Sequence, residues 1–186
     1  MSGQVGRIAR RAVYPGSFDP PTIAHLAIAV ATLEQCGCDS LTFVLSRAAL
    51  GKEHRSDTVE ARAHVLRNLV DDRRFDVEVT STRFIAEIAQ GYDVVVVGAD
   101  KWAQVLDPAW YADETTRDAA VASLPHVALV PRPPHEPPVS RRDAMTVLTL
   151  DDPTLAEVSS TAVRSGRTEW AARPLWRGTD RPGRDQ

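Results

Sequence analysis

Three stretches of the chain carry side chains and backbone that can hold phosphate or ribose. The first runs Tyr14-Pro-Gly-Ser-Phe-Asp-Pro-Pro-Thr-Ile-Ala-His25. A glycine and a turn stand between a strand and a helix, and Thr22 and His25, three residues apart, share one face of that helix. The start of the helix offers free N–H groups and the positive end of its dipole. Gly16 allows the backbone to approach a ligand closely. Together these suit a phosphate group with a donor side chain at His25. The same residues read equally as a plain turn, with His25 as a cap or packing residue. In the second stretch, Ser159, Ser160 and Thr161 are good helix caps and Arg164 lies one turn later. Taken alone, this is also an ordinary capped helix with a surface arginine. In the third, Val94–Val97 leads into Gly98-Ala-Asp100, and a glycine and a carboxylate at a strand end suit a ribose hydroxyl.

A frame has to bring these stretches together. Ile8–Tyr14, Leu41–Leu45, Phe75–Thr80, Asp93–Val97, His126–Val130 and Met145–Leu150 read as strands. Thr22–Gln35, Thr58–Val70, Arg83–Gln90, part of Pro108–Ser123 and a short piece from Ser159 to Ser165 read as helices, with Ser56 or Asp57 as the cap of the second. Strands alternating with helices imply an α/β fold with a parallel sheet and right-handed crossovers. Ligands then bind at the carboxyl ends of strands, where the strand order switches. Each motif above follows a strand. Pro131–Pro138, with five prolines in eight residues, reads as an extended surface loop. The chain divides into one domain over residues 1–169 and a tail over 170–186, whose last ten residues are expected to be mobile.

Composition removes several classes. A chain of 186 residues suits one domain, at roughly 100–200 residues each. With 43% hydrophobic and 25% charged residues it is not disordered. No apolar run approaches the ~18 residues of a membrane helix. Met1–Arg11 has arginines but no apolar core behind them, so it does not read as a secretory leader. A net charge of −3 calls for neither a nucleic-acid polymer nor an anionic membrane as partner. Only Lys52 and Lys101 are lysines among 22 basic residues, an arginine bias that weakens any single arginine as a clue. Cys36 and Cys38 are badly spaced for zinc or a disulfide and read as buried or half-buried free thiols in a reducing cytoplasm.

Gly16-Ser17-Phe18-Asp19-Pro20, with His25 beyond, resembles the signature of the adenylyl- and cytidylyltransferase superfamily, Gly-Ser/Thr-Phe-Asp-Pro-x-His-x-Gly-His. Thr22 stands where that signature has its first histidine, and Ala24 where it has glycine. Val158-Ser-Ser-Thr-Ala-Val-Arg164 is similar to the superfamily's late Ile-Ser-Ser-Thr-x-Ile-Arg segment. The resemblance covers about Val13 to Arg164 and implies a Rossmann-like, doubly wound parallel sheet in three α/β/α layers. Gly98-Ala-Asp100 followed by Trp110, and Arg132-Pro after a later strand, resemble nicotinate mononucleotide adenylyltransferases in particular, with Trp102 competing for the tryptophan's place.

That resemblance implies adenylyl transfer from ATP to nicotinate mononucleotide, with pyrophosphate released and Mg2+ carried by the triphosphate rather than by protein ligands. It implies an ATP site from Gly16, Ser17, Phe18, His25, Gly98, Asp100, Ser159, Ser160, Thr161 and Arg164. His25, Thr22 and Arg164 take the catalytic places. Lys52, Trp110 and Arg132 take the mononucleotide, and Arg62 follows Lys52 on the next helix. Some members of the superfamily are homo-oligomers. A second expectation rests on Thr22 and Ala24: a homologue that binds nucleotide without turnover. A third keeps the chemistry but changes the acceptor, for example to phosphopantetheine.

Overall fold

The computed structural model describes residues 8–48, 58–132 and 144–174. Valine, leucine and phenylalanine dominate the central strands because branched and aromatic side chains pack well on a pleated surface. The six strands are β1 (Arg11–Pro15), β2 (Ser40–Ser46), β3 (Phe75–Thr80), β4 (Val94–Gly98), β5 (His126–Val130) and β6 (Met145–Val147). They form one sheet in the order β3-β2-β1-β4-β5-β6, and every pair is parallel. The order switches between β1 and β4, which opens a crevice at their carboxyl ends.

The four valines of β4 are all buried, and they alternate between two cores. Val94 and Val96 join the side that carries α1 (Ile23–Gln35) and α2 (Val59–Leu69). Val95 and Val97 join the side of α3 (Ile85–Ile88) and α4 (Ala99–Leu106). The result is the three-layer, doubly wound architecture that the resemblance implies. Two further helices complete it: α5 (Glu114–Ala122), which has no buried residue, and α6 (Ser160–Arg164).

Several boundaries differ from the sequence reading. β1 begins at Arg11, and Ile8 is 91% exposed, so its apolar side chain has no core to join. Thr58 caps α2 by accepting from the Ala61 N–H; Ser56 and Asp57 lie outside the described residues. α4 has no counterpart in that reading. Its buried face is only Ala99, Trp102 and Val105, a pattern too short to stand out between Asp100, Lys101 and Gln104. Pro108–Ser123 resolves into a single 3-10 turn, Pro108–Trp110, followed by α5. β6 stops at Val147. Beyond α6 a 3-10 turn, Thr168–Trp170, leads back to the sheet. Trp170 and Ala172 pack against the core, and the Ala172 N–H donates to the Pro21 carbonyl at 3.0 Å. The last ten residues and most of Pro131–Pro138 lie outside the described residues.

Candidate active site

The loop after β1 is shaped by one aromatic ring. Phe18 has φ 44°, in the left-handed region that few residues other than glycine adopt. That backbone turns its ring inward, where it is 1% exposed. A Cβ on Gly16 would lie 2.5–2.9 Å from the ring. The bare side of Gly16 therefore makes room for Phe18, not for a ligand as expected. The ring packs edge-on against Tyr14, Phe43 and, at 5.0 Å between centroids, His25. Arg62, buried on α2, donates to the Ser17 carbonyl and fixes the loop from below.

Thr22 is the N-cap of α1. It closes a reciprocal box with His25, the third helical residue. The Thr22 N–H donates to His25 Nδ1 at 2.9 Å, and the His25 N–H points back to Thr22 Oγ1 at 3.4 Å. A backbone N–H can only donate, so Nδ1 accepts and the neutral imidazole carries its proton on Nε2. Thr22 has no exposed surface. Its polar atoms serve His25, so the threonine in the first-histidine place orients the second histidine. Ala24 is 4% exposed and belongs to the core.

The second motif closes over the first. Ser159 caps α6 by accepting from the Ala162 N–H at 3.1 Å. Ser160 Oγ donates to the Pro20 carbonyl at 2.8 Å. Arg164 donates to the Asp19 carbonyl and to Thr161 Oγ1 (3.1 Å), with the Asp19 carboxylate 3.9 Å away. Arg132, just past β5, donates to the Val158 carbonyl at 2.9 Å and ties the sheet to this segment. At the end of β4, Asp100 folds over Gly98, where a Cβ would lie 2.7 Å from its Oδ1.

These elements enclose a cavity of about 290 Å³. Gly16, Ser17, Phe18, Thr22, His25, Gly98, Asp100, Trp110, Arg132, Ser159, Ser160, Thr161 and Arg164 all line it. Lys52 lies outside the described residues. Of the two tryptophans, Trp110 is on the cavity. Trp102 is 3% exposed in the core, where its indole N–H has no hydrogen-bond partner among the described residues. Among the described residues, the lining has four cations, Arg83, Lys101, Arg132 and Arg164, against one carboxylate, Asp100. Burial pushes the Tyr14 phenol well above its ordinary value, so this lining residue stays neutral.

Beside Trp110, part of one wall was not foreseen from sequence. Phe84 and Tyr111 stack at 5.6 Å with 17° between their planes. Tyr111 Oη donates to the Val105 carbonyl at 3.0 Å, and the Arg83 guanidinium lies 5.9 Å over the Phe84 ring. Lys101 and Gln104, on the helix that Tyr111 bonds, also line the cavity. The rule that ligands bind at strand ends points to Arg83 and Phe84 after β3 and to Lys101 after β4. Nothing local in the sequence pairs Phe84 with Tyr111.

The Cytidylyltransferase-like family model matches residues 13–166. No curated protein matches the chain. Among solved structures, it is similar to Plasmodium falciparum nicotinic acid mononucleotide adenylyltransferase complexed with NaAD, at 12% identity and a TM-score of 0.56. It is also similar to the same enzyme complexed with APC, at 13% identity and a TM-score of 0.60. Both alignments cover 85% of this chain and 83% of that chain. At such identities the likeness speaks for the fold, while the family match spans both phosphate motifs and the strands between them. The chain therefore belongs to the cytidylyltransferase-like family and is a nucleotidyltransferase.

Proposed function

We propose that the protein transfers the adenylyl group of ATP to nicotinate mononucleotide, a step of NAD synthesis. One observation carries this reading: a single cavity joins both phosphate motifs to a wall of aromatic rings, Trp110, Phe84 and Tyr111. The motifs suit a triphosphate, and the rings suit a flat heterocycle on the acceptor. The two solved relatives named above are nicotinic acid mononucleotide adenylyltransferases, which agrees with that division.

An oxygen of the acceptor phosphate attacks the α-phosphorus of ATP. The bond from that phosphorus to the bridging oxygen breaks, and pyrophosphate leaves. No covalent enzyme intermediate is needed, so the protein contributes alignment and charge stabilisation. The N-terminus of α1, 13 residues long, offers N–H groups and a positive dipole end to phosphate. His25 Nε2–H donates to an oxygen on which charge grows. Arg164 steadies the β- and γ-phosphates with charge-assisted bonds, and Asp100 accepts from a ribose hydroxyl. Asp100, the one carboxylate of the lining among the described residues, would suit a Mg2+ ion brought in by the triphosphate, since Mg2+ takes few protein ligands beside phosphate. When bound there, Mg2+ neutralises charge on the triphosphate. Two buried free thiols, Cys36 and Cys38, suit a cytoplasmic setting.

Pyrophosphate release from Mg-ATP tests the reading against a small panel: nicotinate mononucleotide, nicotinamide mononucleotide, phosphopantetheine, and glycerol phosphate with CTP. Turnover is expected with the first. Turnover confined to phosphopantetheine, or a silent panel with ATP still raising the melting temperature, would overturn it.

A further inference from the structure

We infer that Lys101, held by Gln104, selects an acceptor whose ring carries a carboxylate. The inference rests on the adenylyl-transfer reading above and adds a specificity residue to it.

Lys101 follows Asp100 on the first turn of α4, at the carboxyl end of β4. It is half-buried and lines the cavity with Phe84, Trp110 and Tyr111, the last of which bonds the Val105 carbonyl one turn further along α4. Lys101 Nζ donates to Gln104 Oε1 at 2.6 Å. An ammonium group has donors only, so the amide must turn its oxygen toward Lys101 and its NH2 away. The pair thus presents donors to the cavity: an ammonium and an amide NH2. Among the described residues no carboxylate lies within ion-pair distance of Lys101. The half-buried charge is left for a ligand.

The other cations of the cavity have different work. Arg132 and Arg164 are tied to the Val158 and Asp19 carbonyls, beside the phosphate motifs. Arg83 is exposed and sits over the Phe84 ring. Among the described residues, Lys101 is therefore the cation placed to meet a substituent of a ring lying against Phe84, Trp110 and Tyr111. A carboxylate accepts hydrogen bonds only, which matches a donors-only pair. A carboxamide also brings two N–H donors, which this pair leaves unanswered, and it gains no charge assistance. The residue type agrees. In a chain with two lysines among 22 basic residues, position 101 keeps a compact point charge in place of the planar arginine fork.

The test compares kcat/KM for nicotinate and nicotinamide mononucleotides, with saturating Mg-ATP, in the wild-type chain, Lys101→Met and Lys101→Arg. Lys101→Met should lower the acid-to-amide ratio about 10- to 100-fold, the range expected for a charged hydrogen bond. Lys101→Arg should keep part of the preference, and the KM for ATP should change less than the acid-to-amide ratio, since the triphosphate motifs are on other elements although Asp100 is the neighbour of Lys101. Melting-temperature shifts induced by the two mononucleotides give the same comparison without turnover, on protein whose fold the same trace reports. If Lys101→Met lowers kcat/KM for both mononucleotides equally, Lys101 serves their common phosphate and the inference falls alone. If the wild-type chain neither binds nor turns over either mononucleotide, the adenylyl-transfer reading falls and takes this inference with it.

Discussion

Across the cavity, two walls are held in different ways. On the phosphate side, Asp19, Pro20, Pro21 and Thr22 are each gripped by the C-terminal segment. Arg164 and Ser160 hold the first two, Ala172 bonds the Pro21 carbonyl, and Ala171 bridges to Thr22. On the acceptor side, the side chains of Arg83, Phe84 and Tyr111 are held by ring contacts and one hydroxyl bond to the Val105 carbonyl, and the backbone bonds of Phe84 and Tyr111 stay within their own turns. Behind them α5 buries no residue at all. The contrast follows the chemistry. Phosphoryl groups must be aligned to fractions of an ångström for in-line displacement, whereas recognition of a ring tolerates adjustment of stacked side chains.

If the walls divide the work in this way, substitutions on each should separate. His25→Ala carries the largest expected effect. It should lower kcat about 10²–10³-fold for every acceptor, the usual cost of one well-placed transition-state donor, and single-turnover kinetics would read it directly. Next, Arg164→Ala should reduce kcat/KM for ATP about 10- to 100-fold, the range of a charged hydrogen bond, whichever acceptor is present. A defect that depended on the acceptor would break the division. Gly16→Ala forces a Cβ into the Phe18 ring. It should cost about 1–3 kcal/mol of stability, as overpacking does, seen as a lower melting temperature. Phe84→Ala should raise the acceptor KM about two- to tenfold through lost ring contact, with the ATP KM held.

The smallest effect lies away from both walls. His126 begins β5, at the opposite end of the sheet from the cavity, and contacts Thr146 Oγ1 at 2.8 Å. Burial, and then Arg10, push its imidazole below the ordinary 6.5. The unfolded chain therefore binds more protons between the folded value and 6.5, so stability falls as pH drops through that window. Melting curves from pH 7.5 to 5.5 should show that slope, and His126→Gln should flatten it without changing turnover.

The same contrast governs what could be read in the sequence. The phosphate side is made of contiguous residues whose order encodes their geometry. Gly16–Pro20, His25 and Ser159–Arg164 could be named before any coordinates, and all but Asp19, Pro20, Ala162 and Val163 line the cavity. The sheet was equally open to reading, because Val94–Val97 can only be a strand buried on both faces. The acceptor wall draws single residues from the end of β3, from α4 and from the turn after it, joined by ring contacts that leave no spacing pattern. α4 went unseen because three buried residues among polar neighbours give too weak a period. Gly16 was read toward the ligand because its close neighbour, Phe18, is set by a left-handed backbone that composition does not announce.

The bonds between the first motif and the C-terminal segment join residues 140 and 145 positions apart. During synthesis on the ribosome the β1 loop emerges early, yet its grip arrives only when α6 has been made. Contacts of such long range are slow to form, because a large loop must close before they contribute. A nascent or truncated chain ending before Ser159 can complete most of the sheet and still lack an assembled phosphate site. Catalytic competence thus reports that translation has passed the segment from Ser159 to Ala172, a property useful for telling such chains from shorter fragments.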